Sequence, residues 1–475
     1  MRTNQPTPAI SSASTGNPAL LELQASLPGK VFLPADPQYP GLSQPFNLST
    51  RQNPAVIIAA HSAEDIIHAI HFARRTGSGL AVQGGAHGTV VPADGAVLIN
   101  TRQMRAVQVD PARQTARIEA GAKWGEVLQE TQLAGLAPLL GSSPDVGVAG
   151  YTLGGGKGWL ARKYGLALDS VVSFELVTAN GEKITASGTE NSDLFWGLRG
   201  GGGSLGILTT LEIQLFPVTQ VYGGNLYYPV QLAREVFTRY RAWVKSVPED
   251  MTSAFVIMNY PDLPAMPDFL RGKSFAMLRG CFAGPIEEGE ALLEPWRKWQ
   301  TPAIDDFKSL PFFQVAAISN DPVEPVPSSS TGVWLSSLSD QVINVLVQYA
   351  PAGQGSPITV TEVRHAGGAI SNVDPQATAY GNRDAEFSLQ MIGVTATPEM
   401  AANLKSYTGQ VKNALVGSLT GGVYPNFLDG EEAVQRIREG YSPEAFQHLM
   451  ELKAKYDPDN LLRYSFQIPP AIQAG

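Results

Sequence analysis

Cysteine is almost absent: Cys281 is the single one in 475 residues, which excludes an internal disulfide and any cysteine-built metal site. Charge is thin as well, at 16% of residues, and it leans acidic, with a net charge of −9. An acidic surface is repelled by nucleic acid and by anionic membranes, so neither is expected as a partner. A local basic pocket for phosphate remains compatible with it. No apolar run reaches the roughly 18 residues of a membrane span. The opening stretch, Met1 to Pro18, is rich in Ser, Thr, Pro and Ala and lacks the basic start and apolar core of a secretory signal. A cytoplasmic protein is the simplest expectation, which leaves the Asn47-Leu48-Ser49 sequon without clear meaning.

Glycine and proline are plentiful, with 48 and 35 copies, so many tight turns interrupt the regular elements. From Pro54 to about Pro217, strand and helix signals alternate. Val56-Ile57-Ile58-Ala59 reads as a buried strand. Ser62 can cap a helix with Glu64 and Asp65 in its first turn, and Gly77-Ser78-Gly79 ends it. Leu80-Ala81-Val82 and Ala96-Val97-Leu98-Ile99 are further strands. Val107–Val109 and Ala116–Ile118 form a hairpin, and Lys123 to Ala134 is helical. Asn180-Gly181, between Phe174–Val177 and Lys183–Thr185, predicts a two-residue hairpin turn. From about Thr219 to Val411 the loops lengthen and grow proline-rich, which marks a second domain. Leu232 to Val247 is a helix there, and Thr359 to Arg364 a strand. Glu432 to Tyr456 reads as one helix.

The informative feature is a short turn, Gln83-Gly84-Gly85-Ala86-His87-Gly88, between two strand-like runs. Glycines let backbone amides approach a charged ligand closely, and His87 puts an imidazole against that ligand. Three more glycine clusters follow. These are Gly141 to Gly147 leading to Gly150, then Gly154 to Gly158, then Arg199 to Gly206. Four such loops within about 120 residues suit a long anionic ligand such as a dinucleotide. Lys157 does not make a P-loop, because the leading glycine is missing and Gly158 stands where Ser or Thr is needed. No cluster has the Rossmann spacing and its later acidic residue. Gly202-Gly203-Ser204-Leu205-Gly206 matches an esterase elbow in letters, but it follows a helix and precedes a strand, the reverse of what that elbow requires. His68 and His71 share a helix face near His61, yet no carboxylate or cysteine pattern completes a metal site.

Taken in this order, the motifs resemble the berberine bridge enzyme-like FAD-linked oxidases of the vanillyl-alcohol oxidase superfamily, from Asn53 to Pro469. Gly84-Gly85-Ala86-His87-Gly88 is similar to the flavin-attachment turn of that family. Gly147 to Gly156 is similar to its pyrophosphate loop, and Asp193 to Gly203 to its most recognisable signature. Tyr424-Pro425-Asn426-Phe427-Leu428-Asp429 and Leu452 to Asn460 resemble the segment that returns over the flavin. The resemblance implies an α+β, two-domain PCMH-type FAD-binding fold, with an inserted substrate domain built on an antiparallel sheet flanked by helices. The expected division is a lead-in over 1–49, the FAD domain over 50–218 and again 412–475, and the substrate domain over 219–411.

The resemblance also assigns roles. His87 is expected to bond FAD covalently, or else to touch it as a polar turn histidine. Further cofactor contacts are expected from Gly84, Gly85, Ala86, Gly88, Gly141, Ser142, Ser143, Val146, Gly147, Gly150, Leu153, Gly154, Gly206, Ile207 and Asn426. Many members attach the flavin a second time through a cysteine where Ser143 stands, so a single bond is expected here. Ala86 replaces a frequent glycine, and Ser204-Leu205 replaces the usual Asn-Phe.

Tyr424 is the candidate base, or a tyrosine packed on the ring; related enzymes often carry another tyrosine where Phe427 stands. Period-2 alternation puts Glu362 and Arg364 on one face, as an acid–base or substrate-anchoring pair or as a surface salt bridge. Thr152 or Leu153 is placed at the gate that admits oxygen. The implied activity is hydride transfer from an alcohol, sugar or natural-product substrate to FAD, with O2 as acceptor giving H2O2, in a monomer or homodimer. The alternatives are a dehydrogenase with another acceptor, and a flavin-binding cyclase or non-redox protein.

Overall fold

A computed structural model of the chain describes residues 17–88, 91–264 and 266–472; the Ser- and Pro-rich opening, residues 1–16, lies outside them. Hydrophobic periodicity resolves into three sheets. The first has four strands in the order Val31–Phe32, Val56–Ala59, Val97–Asn100, Leu80–Gln83, the last three parallel. Val56–Ala59 and Val97–Asn100 are buried at every position, as strands covered on both faces must be. Helix Ala63–Thr76 covers this sheet. Its cap is the expected one: the Ser62 side chain accepts from the Asp65 N–H, and Gly77 ends the helix at φ +68°.

The second sheet is antiparallel, in the order Val107–Asp110, Thr115–Glu119, Ile207–Gln214, Val171–Val177, Lys183–Ser187. Asn180-Gly181 does not make a two-residue turn. Val177 pairs with Lys183, so the loop is Thr178 to Glu182. Thr178 closes it, its carbonyl accepting from Gly181 and its N–H donating to Glu182, both at 2.9 Å.

Residues 220–394 build the third sheet, antiparallel throughout, in the order Ile304–Asp305, Gln220–Pro229, Ser274–Phe282, Met251–Asn259, Val360–His365, Phe387–Val394, Ser328–Leu335, with Lys308–Pro311 also on Gln220–Pro229. Helices Ala233–Trp243, Asp340–Tyr349 and Pro398–Ala414 pack against its apolar face, around Phe237, Phe255, Val363 and Leu389. Alternation then sends Glu362 and Arg364 to the opposite face. Direct pairing aligns one row across this sheet: Asn225, Arg279, Ala254, Arg364, Ser388 and Trp334. The adjacent row carries Met277, Val256, Glu362, Gln390 and Gly332.

The tail is not one helix. It runs as Gly430–Arg436, a 3-10 turn Ile437–Gly440, and a new helix Pro443–Tyr456 capped by Ser442. Pro443 has no N–H to continue the earlier helix and is favoured at the start of a new one. Lys453 and Asp457 form a fully buried ion pair at 2.6 Å. Lys453 Nζ also donates to the Ser204 carbonyl, and Asp457 accepts the Leu461 and Leu462 N–H groups. The pair therefore pins the tail to the glycine loop at 202–206. Among the described residues no helix is long and apolar enough to cross a membrane.

Removing one partner of a buried pair strands the other charge, at a cost of about 3–5 kcal/mol. Asp457→Ala should lower unfolding stability by that order in a denaturant titration; an unchanged midpoint would contradict the role given to the pair.

Candidate active site

Strand Leu80–Gln83 delivers the histidine turn, and the Gln83 side chain anchors its start by donating to the Leu42 and Gln44 carbonyls. Ala86 takes φ +58°, a left-handed conformation that disfavours residues with a Cβ. Gly85 lies against Gly147: a Cβ on Gly85 would sit 2.7 Å from the Gly147 nitrogen. Histidine turn and pyrophosphate loop thus touch through glycine backbone alone. The His87 imidazole stacks on Phe46, with ring centroids 3.7 Å apart, and its Nε2 meets Asp145 Oδ2 at 3.1 Å. Asp145 also binds Lys123. Burial lowers the His87 pKa, against the opposing pull of Asp145, so the ring is neutral near pH 7.

Helix Val148–Leu153 leads into Gly154-Gly155-Gly156. Gly155, at φ +125°, is enclosed by the rings of Tyr380 and Tyr424, which a Cβ would meet at 2.8 and 3.0 Å. Tyr424 comes from the tail. Its phenol oxygen accepts the Gly156 and Lys157 backbone N–H groups, both at 3.0 Å, and Asn426 Nδ2 at 3.3 Å. Asn426 Nδ2 donates to the Tyr151 carbonyl as well, at 3.0 Å. A neutral phenol oxygen has two lone pairs for three N–H donors, whereas a phenolate has three. Burial raises the Tyr424 pKa, and these donors and the Arg364 charge work against that rise.

Lys157 was set aside in the sequence as a failed P-loop lysine, yet it sits at the centre of this site. It is buried, its Nζ bonds Ser388 Oγ, and it lies 4.8 Å from the Trp334 ring centroid and 5.5 Å from those of Tyr424 and Phe427. Burial, aided by the Arg364 charge, holds its pKa well below the ordinary lysine value.

Glu362 and Arg364 do pair, with Arg364 Nε donating to Glu362 Oε2 at 2.5 Å, but the pair is not on the surface: Glu362 is 3% exposed. Its other oxygen faces Arg279 Nη1 at 3.3 Å. Burial alone would raise the Glu362 pKa; the Arg364 and Arg279 guanidinium groups hold it below the usual value. An ionised carboxylate held by two arginines is better placed to fix Arg364 than to move protons. Arg364 lies over Phe427, 5.2 Å from its ring centroid, and lines a small cleft with Lys157, Ser142, Trp159, Thr252 and His365. His365 is too weakly basic to take a proton here: burial and the adjacent Arg162 lower its pKa to about 3.

The remaining candidates fall in two groups. Gly141 lies beside the Tyr151 ring, Gly147 against Gly85 of the histidine turn and Gly154 against Asn426; Ser142 lines the cleft, the Val146 carbonyl accepts the Trp124 N–H, and a Cβ on Gly150 would meet only open space. Ser143 accepts the Asp145 N–H at 3.3 Å. Gly206 and Ile207 instead pack on Leu176 and Val177 in the second sheet, and Leu153 lies in the apolar core while its carbonyl accepts the Gly200 N–H. Thr152, its neighbour at the expected gate, is buried. Phe46 and Arg279 were not foreseen, because they reach the site from distant stretches of chain; Asp145 and Lys157 lie within the glycine loops, but their partners His87, Ser388 and Trp334 do not. Among the described residues no three His, Cys, Asp or Glu side chains cluster as a metal site.

Residues 54–187 match the FAD binding domain family, and residues 423–469 match the berberine and berberine-like family. The two matches hold the histidine turn and pyrophosphate loop on one side and Tyr424 and Asn426 on the other. The chain is thus an FAD-linked oxidoreductase that carries the FAD binding domain and the berberine-like domain. It is 28% identical over 458 residues to the uncharacterized FAD-linked oxidoreductase YgaK of Bacillus subtilis (strain 168), covering 94% of this chain and 98% of that protein. With (R)-6-hydroxynicotine oxidase of Paenarthrobacter nicotinovorans it shares 27% over 470 residues, covering 94% and 97%. The fold matches BBE-like 1 of Physcomitrella patens with a TM-score of 0.83 at 22% identity, over 96% of this chain and all of that one. The α+β architecture with an inserted antiparallel domain is therefore the fold expected for such a flavoenzyme.

The residues of this FAD-linked oxidoreductase fit a flavin dinucleotide. Among the described residues the Gly84, Gly85 and Ala86 amides have no acceptor, and Tyr151 Oη and Thr152 Oγ1 are buried without a hydrogen-bond partner. Such groups need a polar ligand or water to offset their desolvation. The strain at Ala86 gives a test on stability: a left-handed non-glycine residue costs about 1–2 kcal/mol, partly offset by the entropy glycine brings. Ala86→Gly should raise the thermal midpoint, by about 0.5–1 kcal/mol in stability; a lower midpoint would contradict the strain.

Proposed function

We propose that the enzyme carries FAD covalently through His87 alone and oxidises an alcohol, sugar or natural-product substrate, with dioxygen as electron acceptor and hydrogen peroxide as product. Bound FAD supplies the hydride acceptor. The single-bond reading rests on Ser143, whose hydroxyl lies beside Asp145 where a second anchor would need a thiol, and on Cys281, which is fully buried in the substrate-side sheet.

The observation that carries the chemistry is the phenol oxygen of Tyr424, held by three N–H donors where the glycine loop meets the substrate sheet. Donors fixed in the backbone need no reorganisation as charge develops on that oxygen. Tyr424 accepts the substrate hydroxyl proton, and the Asn426 bond orients its ring. Arg364, fixed by Glu362, lines the cleft with a positive charge that also acts on Tyr424, and it stabilises negative charge on the substrate oxygen as the proton leaves. Trp334 and Phe427 place their rings 4.8 and 5.5 Å from Lys157 Nζ on the substrate side of this centre. Roles for Glu362 and Arg364 are thus anchoring and electrostatic, with the proton transfer given to Tyr424.

Acid precipitation tests the linkage. Wild type should give a yellow pellet, and His87→Ala should release its FAD to the supernatant; a white wild-type pellet would refute the covalent bond. Substrate screening under anaerobic conditions should bleach the flavin, and mixing the reduced enzyme with air should restore the colour with one peroxide per flavin. Slow recolouring in air would instead assign the reaction to a dehydrogenase.

A further inference from the structure

His87 is fixed by three groups that the hydride-transfer chemistry does not use. Phe46 stacks on its ring with 16° between the planes. Asp145 Oδ2 lies 3.1 Å from Nε2. Lys123 Nζ holds the second oxygen of Asp145, and Lys123 is itself set at the N-cap of helix Trp124–Leu133, its N–H donating to Glu126 Oε2 at 2.9 Å. Among the described residues Nδ1 of His87 has no hydrogen-bond partner.

A carboxylate only accepts, so its bond to a neutral imidazole requires the proton on Nε2. The lone pair then resides on Nδ1, and the Asp145 contact, with Phe46 fixing the ring plane, favours this orientation of the two nitrogens. The tautomer follows from the hydrogen-bond network. Lys123 restricts Asp145 to one direction, because a carboxylate with one oxygen in an ion pair offers the other oxygen to His87.

We propose that Asp145, oriented by Lys123, is the positioning residue for flavin attachment: it fixes the Nε2–H tautomer so that His87 bonds the flavin through Nδ1, and it receives the Nε2 proton as that bond forms. This rests on the covalent reading given above. In the net step a C–H bond of the flavin 8α-methyl group breaks and an Nδ1–C8α bond forms. Two protons are released, one from the methyl group and one from Nε2 to Asp145. The two electrons pass through the flavin to dioxygen, which becomes hydrogen peroxide. The same oxidant serves turnover, so attachment needs no further reactant.

The test compares wild type, Asp145→Asn and Asp145→Glu, each purified with FAD bound, by following in air the fraction of flavin that precipitates with protein in acid. Attachment should be complete in wild type and at least about tenfold slower in Asp145→Asn, where the carboxamide keeps a polar contact but cannot take the proton. Asp145→Glu should recover part of the rate. Asp145→Asn attaching flavin as fast as wild type would overturn the proposal while leaving the covalent reading intact. Wild type releasing its flavin in acid would overturn that reading first. Should Asp145→Asn fail to fold or to hold flavin, wild type decides alone: NMR of the isolated flavin peptide should show attachment at Nδ1, and attachment at Nε2 would overturn the proposal.

Discussion

The site depends on one small cluster, the hydrogen bonds that the Gly156 and Lys157 amides and Asn426 make to the Tyr424 phenol oxygen. Three parts of the chain meet there, since the amides belong to the glycine loop, Tyr424 and Asn426 to the returning tail, and the Lys157 side chain reaches Ser388 on the substrate sheet. None of these segments can shift alone without leaving buried polar groups unpaired, which costs about 1–3 kcal/mol for each. The glycines at 154–156 follow from similar crowding, because Asn426 fills the space beside Gly154, Tyr380 and Tyr424 that beside Gly155, and Ala167 and Tyr151 that beside Gly156. The buried Lys453–Asp457 pair supports this arrangement from behind, fixing the tail to the neighbouring glycine loop.

Charge in the cleft is arranged by sheet register. Arg279, Arg364 and Ser388 share one cross-strand row, and Glu362 and Gln390 the next. Diagonal neighbours in adjacent rows are close enough for long side chains to meet, so Glu362 bridges both arginines. The result is a carboxylate kept ionised and a guanidinium kept in place. On the other side of the site, Asp145 and Lys123 do the same for His87. Both flanks use an ion pair to orient a third group, one serving the substrate oxygen and the other the cofactor.

Local chemistry made much of the fold legible in the sequence. Ser62 and Gly77 bracket a real helix, and period-2 alternation placed Glu362 beside Arg364 on one face. Where that reading failed, a longer-range constraint decided. Asn180-Gly181 has the letters of a two-residue turn, but the Val177–Lys183 pairing leaves five residues between the strands. The tail helix breaks at Ser442-Pro443 because Tyr441 must turn inward to donate to the Gly200 carbonyl. Glycine loops and the His87 turn are contiguous, so they could be read as a cofactor site. Phe46 and Arg279 could not, and neither could the partners of Asp145 and Lys157, since only the folded chain brings residues 46, 87 and 145 together, or 157 with 388 and 424. The choice between a site pair and a surface salt bridge for Glu362–Arg364 could not be made from the sequence for the same reason: Arg279, which helps bury the pair, arrives from a strand more than eighty residues earlier.

The central claim is that Tyr424 is the base of the reaction, poised by backbone donors yet with a pKa raised by burial. Its phenolate fraction must then grow as pH rises, and with it the rate of flavin reduction. The decisive measurement is anaerobic stopped-flow reduction of the bound flavin by an active substrate, from neutral to alkaline pH, in wild type and in Tyr424→Phe. The account predicts a wild-type rate that climbs with pH, and a Tyr424→Phe rate lower by about 100-fold or more with that climb removed. A Tyr424→Phe enzyme that keeps the wild-type rate, or the same rise with pH, would contradict it.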